Sequence, residues 1–224
     1  MKCVVRHFAP RRCQSLLVLR RTCFGASTRV RSGMMKSGMF LGTTEDELKV
    51  WLQERGINTA GFGSISGTKT LRDLHTEICN GESVLITGED GSPMRMVAVI
   101  SVNITNRKGL SLYEAKQRLP SGKLRERNLL LSEKLLPHET WIEAGRRGIL
   151  EELGSVLPSH PEIDILSDTY SMNTEKSMSG SYPGLLTEYT CHKVQANVMG
   201  LPETDFTTEE QRPDGVLISE WSWR

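Results

Sequence analysis

A mixed α/β layered domain, preceded by a small helical segment, is the fold class that this 224-residue sequence predicts. Three observations predict it. Met94 to Ile104 is rich in β-branched residues and reads as a long central strand. Thr140 to Gly154 has helical spacing between a start signal and a stop signal. Tyr189 to Val198 and Val216 to Trp223 then return to the alternation of strands. With 38% hydrophobic and 25% charged residues, the chain can bury one good core.

In chain order, Thr43 to Leu52 opens with Thr followed by acids that suit a helix N-terminus, places Leu48, Trp51 and Leu52 on one face, and stops near Gly56. A second helix runs from Thr70 to Cys79 on a Leu71, Leu74, Ile78 stripe, with Asn80-Gly81 as its stop. These two helices are expected to form a lid or side layer. Ser83 to Thr87 is a strand, Gly88 to Pro93 a turn, and Met94 to Ile104 the sheet centre. Asn106 to Gly109 turns the chain into a short strand, Leu110 to Tyr113, and the polar run Gln117 to Arg127 reads as a loop. Leu129-Leu130-Leu131 leads into the next helix, whose Thr140-Trp141-Ile142-Glu143 start fits a capping box and whose Gly154 fits a left-handed cap. Ile142, Ile149 and Leu153 are its expected buried face. Ser167 to Gly184 is the most loop-like later stretch.

Charge divides the chain. Nine of the 28 Lys and Arg residues and none of the 27 acids precede residue 44, so the remainder carries 19 basic against 27 acidic residues. An Arg-rich, acid-free leader punctuated by short apolar groups predicts an organelle transit peptide over 1–43, for mitochondrion or chloroplast. Its apolar run is too short to span a bilayer. The acidic remainder argues against a nucleic-acid partner. Cys79 and Cys191 are the two cysteines beyond the leader, so neither a disulfide framework nor a zinc site is suggested.

The chemistry is concentrated between Glu133 and Ser155. Glu151 and Glu152 are adjacent carboxylates just before Gly154, with Glu139 upstream across a turn. Such a set can hold a hard divalent cation against a diphosphate. The same stretch resembles the Nudix box, G-x5-E-x7-R-E-U-x-E-E-x-G-U, where U is a bulky aliphatic residue. Glu139, Arg147, Ile149, Glu151, Glu152 and Gly154 meet its pattern. Glu133 stands at the first glycine, Gly148 at the glutamate of the Arg-Glu pair, and Ser155 at the last aliphatic.

The resemblance implies a Nudix-like α/β/α sandwich with a mixed sheet over residues 93–224, with 44–92 as a helical extension leading into the first strand. It implies Mg²⁺ or Mn²⁺ as cofactor and hydrolysis of a nucleoside diphosphate linked to another moiety. Glu151 and Glu152 are carried over as catalytic residues, and Glu152, Glu151 and Glu139 as metal ligands. The partner is then a small nucleotide-like diphosphate, with no membrane span and with a homodimer left open. Gly148 favours a rival reading, a catalytically impaired module that binds a nucleotide or a protein. A mid-helix glycine costs about 0.8–1.0 kcal/mol relative to Ala, so something approaches this face closely. A compensating acid is sought among Glu133, Glu188, Glu209 and Glu210, and restoring Gly148→Glu is expected to raise activity if the missing acid limits it. Arg118, Lys123, Arg125 and Arg127 are candidates for holding phosphates. Arg147 has a structural task, with Glu143 spaced four residues before it for an ion pair.

Overall fold

The computed structural model describes residues 38–212 and 215–224. The expected leader falls largely outside the described residues. Packed structure begins ahead of Thr44, because Phe40 is buried and its N–H donates to the Leu85 carbonyl at 2.9 Å.

Among the described residues there are three α-helices, and all start on one device. Thr44, Thr70 and Thr140 cap α1 (Glu45–Gln53), α2 (Leu71–Cys79) and α3 (Trp141–Leu153), each hydroxyl accepting from the N–H three residues on. Glu47, Asp73 and Glu143 return the bond to the cap's own N–H. Two orphan donors are thereby satisfied at each helix start. Thr140→Ala is expected to cost about 1 kcal/mol, read as a thermal midpoint lower by about 2–4 °C. An unchanged midpoint would remove the cap from the forces that fix α3.

Among the described residues, eight strands follow α1 and α2: β1 (Val84–Thr87), β2 (Pro93–Ile104), β3 (Leu112–Arg118), β4 (Leu124–Lys134), β5 (Ile163–Met178), β6 (Leu186–Val198), β7 (Phe206–Arg212) and β8 (Gly215–Trp223). They lie in the order β5-β6-β2-β4-β3-β8-β7, with β1 also paired to β2. The β2–β6 pair is parallel and the others are antiparallel, so the sheet is mixed.

Burial along β2 shows how two helical layers share this sheet. Arg95 and Val97 are buried at its start and Ile100, Val102 and Ile104 at its end, so the buried face switches midway. Successive strand residues point to opposite faces. The even-numbered residues pack with Leu131, Ala144, Ile149, Leu153 and Trp221 under α3. The other face carries Leu85, Tyr182 and Leu185 against Leu48, Leu52, Leu74 and Ile78 of α1 and α2. Helices thus cover both sides of a mixed sheet.

Several expectations are corrected. The polar run Gln117 to Arg127 is a hairpin joining β3 to β4, and most of Ser167 to Gly184 is the polar strand β5. The short strand expected at Leu110 starts at Leu112 and runs on to Arg118. Ile142 is exposed, and the buried face of α3 is instead Ala144, Gly145, Gly148, Ile149 and Leu153. Gly154 is right-handed, with φ −59°. Its requirement is steric, since a Cβ there would stand 2.3 Å from the Leu150 carbonyl oxygen. No helix among the described residues is long and apolar enough to cross a membrane.

Candidate active site

Arg147 lies one helical turn before Glu151, and α3 aims it back at the turn that feeds the helix. Its Nε donates to Glu139 Oε1 at 2.8 Å and its Nη2 to Glu139 Oε2 at 3.0 Å, a bidentate pair. Nη2 also donates to the Lys134 carbonyl at 2.7 Å, and Nη1 to Glu151 Oε2 at 3.0 Å. Arg147 therefore ties the end of β4, the β4–α3 turn and the middle of α3 into one knot. The Arg147 hydrogen bonds foremost, with the Leu136 N–H that donates to Glu139 Oε2 at 2.9 Å, hold the Glu139 carboxyl below its usual range against partial burial. The expected Glu143–Arg147 pair is not formed, because the Glu143 carboxylate is engaged at the Thr140 cap.

Gly148 is packed against β4. A Cβ at this position would meet Glu133 Cβ at 2.9 Å, Leu131 Cδ2 at 3.3 Å and Glu133 Cγ at 3.4 Å. The close approach expected from a mid-helix glycine is thus made by a strand, and the side chain that strand presents is itself a carboxylate. Glu133 Oε1 accepts from the Lys134 N–H at 2.8 Å and lies 3.5 Å from Arg147 Nη1. Burial pushes its carboxyl up, opposed by that N–H and by Arg147 and reinforced by Glu151.

Glu151 and Glu152, adjacent in sequence, occupy different environments. Glu151 has a side chain 54% exposed and pairs with Arg147 at the surface. Glu152 is half-buried and feels the charges of Glu114 on β3 and Glu210 on β7. Burial first, then the negative charges of Glu114, Glu210 and Glu133, push the Glu152 carboxyl up to about 7, against a smaller opposing pull from Arg212.

The floor beside Glu152 is an ionic network that the sequence did not reveal. Glu114 on β3 is buried, and accepts from Arg127 Nε at 2.9 Å, Ser219 Oγ at 2.8 Å and the Gln117 amide. Arg125 Nη2 in turn donates to the Gln117 side-chain amide oxygen. A register shift in the β3–β4 pairing, with Asn128 at φ 52°, accompanies the turn of Arg127 toward Glu114. Bulges commonly re-aim a side chain in this way, and Asn tolerates the left-handed conformation better than most residues. Burial, and repulsion from Arg127 and Arg212, lower the Arg125 guanidinium. Acidic and basic groups thus crowd together around Glu152.

This crowding has a consequence for metal-free protein. The Glu152 carboxyl binds its proton more tightly folded, at about 7, than at its ordinary 4.5. Between those values the native state holds more protons, so stability falls as pH rises from about 4.5 through about 7. We expect a loss of about 1–3 kcal/mol across that window, absent in Glu152→Gln. Chemical denaturation in a chelator at pH 5 and pH 8 reads it directly; parallel wild-type and variant profiles would contradict it.

Of the other candidates, Glu188 pairs with Lys176 at 3.0 Å and Glu209 is exposed. Glu210 contributes to the field at Glu152 and pairs with Arg212 at 2.7 Å. Lys123 donates to Ser66 in the helical layer, and Arg118 closes β3. Tyr182 is fully buried against Phe62 and beneath Arg95, so it is a core residue. His138 is exposed, whereas His192 is bonded to the Tyr170 hydroxyl.

Among the described residues, no three His, Cys, Asp or Glu side chains stand together as a ready-made metal site. Mg²⁺ does not require one, since it keeps several waters and is commonly held by one or two carboxylates plus substrate phosphates. The donor set here, hard carboxylate oxygens crowded by like charge, fits that mode. No family model and no curated protein matches the chain. Among solved structures, a Nudix hydrolase from M. smegmatis, RenU, aligns at 16% identity with a TM-score of 0.30, over 62% of this chain and 79% of that one.

Proposed function

We propose that the chain is a divalent-metal-dependent hydrolase of the Nudix type, acting on a nucleoside diphosphate linked to another moiety. The observation that supports it most is the recessed Glu152 carboxylate, desolvated and repelled by Glu114, Glu210 and Glu133, at the place in the box where a metal ligand is wanted. A cation beside it would relieve that repulsion.

Bound Mg²⁺ or Mn²⁺ would neutralise charge on the diphosphate and make water a better nucleophile. The chain's own residues supply the rest. Glu152 is the principal ligand, with Glu151 the adjoining carboxylate on the same turn. Glu139 holds Arg147, and Arg147 fixes the spacing between β4 and α3. Arg125 is repelled by Arg127 and Arg212 on the same floor, and phosphate oxygens beside it would relieve that repulsion. Water then attacks one phosphorus and the bond to the bridging oxygen breaks.

The test is incubation of the chain with Mg²⁺ or Mn²⁺ and a panel of nucleoside diphosphate derivatives, beside Glu152→Gln. Metal-dependent turnover lost in the variant supports the hydrolase. Ligand binding without metal or turnover replaces it with the binding-module reading, which the engagement of Glu139 and Glu151 by Arg147 favours.

A further inference from the structure

The two departures of the box at Glu133 and Gly148 are complementary. The pattern asks for glycine at the first position and glutamate at the second, and this chain has them the other way round. The structure shows why the two positions are linked. They face each other across the β4–α3 contact, and a Cβ on residue 148 would stand 2.9 Å from the Cβ of Glu133, so there is room for one side chain between strand and helix.

We infer that Glu133 supplies, from β4, the carboxylate that α3 lacks at Gly148, and serves as a metal ligand beside Glu152. The inference rests on the proposed hydrolase. Its support is positional. The Glu133 side chain fills the space against Gly148, and its carboxylate is held by the Lys134 N–H and lies 3.5 Å from the Arg147 guanidinium. Its charge is felt at Glu152, as that of Glu151 is felt at Glu133. Glu133 thus lies among the box acids. The Glu133 side chain is 23% exposed at a packed strand–helix contact, where partial desolvation works against its charge.

It follows that restoring glutamate on the helix alone does not help, because Glu133 already fills the role and the missing acid does not limit activity. Gly148→Glu drives a side chain into Glu133 Cβ and Leu131, and is expected to lower the thermal midpoint by about 5 °C. The exchange Glu133→Gly with Gly148→Glu is expected to recover the midpoint.

The experiment compares wild type, Glu133→Gln, Gly148→Glu and the double exchange in the full chain, beside Glu152→Gln. It reads the Mn²⁺-induced rise in thermal midpoint and the turnover of the substrate found in the panel. Glu133→Gln is expected to fold as wild type does, to lose most of the Mn²⁺-induced rise and to turn over about 100-fold more slowly. The double exchange is expected to regain both. A Glu133→Gln protein with the full rise and full turnover overturns the inference, as does a double exchange no better than Gly148→Glu. If the wild type shows a rise that Glu152→Gln loses and Glu133→Gln keeps, the hydrolase stands and this inference alone falls. A wild type with neither rise nor turnover removes both.

Discussion

Glu152→Gln is expected to lower metal-dependent turnover by at least about 100-fold and, above pH 7, to make the metal-free protein more stable than wild type. The two effects have one cause. The amide keeps the volume of the carboxyl, so α3 and the floor of β3, β8 and β7 keep their packing. What is lost is a charge that the surroundings oppose, through burial and through Glu114, Glu210 and Glu133. A residue whose removal stabilises the resting protein is held in place by something other than stability, and the cost of such groups is a recurrent mark of functional sites. Turnover assays and denaturant titrations at pH 8 measure the two quantities. A variant that loses stability and keeps activity would place Glu152 with the framework and not with the chemistry.

The largest expected stability effect lies on the other face of the sheet. Glu77 on α2 is 5% exposed and accepts from Arg95 Nη2 at 2.7 Å, while Arg95 is itself 4% exposed. Lys69 and Lys134 each reach Glu77 Oε1 at 2.7 Å, and Ser83 Oγ donates to Oε2 at 3.1 Å. Burial alone would raise this carboxyl, yet the charges and hydrogen bonds of Lys69 and Lys134 outweigh it and hold it well below the usual range. Glu77→Ala would leave Arg95 buried over Tyr182 without its counter-ion. Breaking a buried pair in this way costs about 3–5 kcal/mol, or about 10 °C in midpoint for a domain of this size. The exposed Arg72–Glu45 pair is the control, because ion pairs in water contribute little. A Glu77→Ala protein as stable as Arg72→Ala would contradict this account of how the helical layer is fastened.

That network also reaches the candidate site. Lys134 follows Glu133 on β4, with its ammonium on Glu77 and Glu82 and its carbonyl on Arg147. One residue thus joins the α2 layer to the knot that sets the position of α3.

Features that depend on a few neighbouring residues were readable in the sequence. The capping box at Thr140 and the acids after Thr44 lie within a few residues of one another, and the β-branched run of β2 reports its own burial, whereas the box at Thr70 emerges in the structure. What could not be read depends on partners distant in the chain. β5 is a long strand whose side chains are mostly exposed, so it carries polar residues where alternation was sought. The β3–β4 hairpin looked like a loop because Gln117, Arg125 and Arg127 are polar, yet they serve a buried network around Glu114 that closes through Ser219, 105 residues away. Glu114 itself gives no signal in the sequence, being one acid in a strand. In the sequence Glu133 is one of four acids without a basis for ranking; what sets it apart is its approach to Gly148 across the β4–α3 contact.

Calorimetric titration of the full chain with Mn²⁺ at pH 8, beside Glu152→Gln, bears most directly on whether these carboxylates hold a divalent cation. The account requires a saturable site in the wild type that the variant loses. Equal heats from both proteins, or none from either, would contradict it.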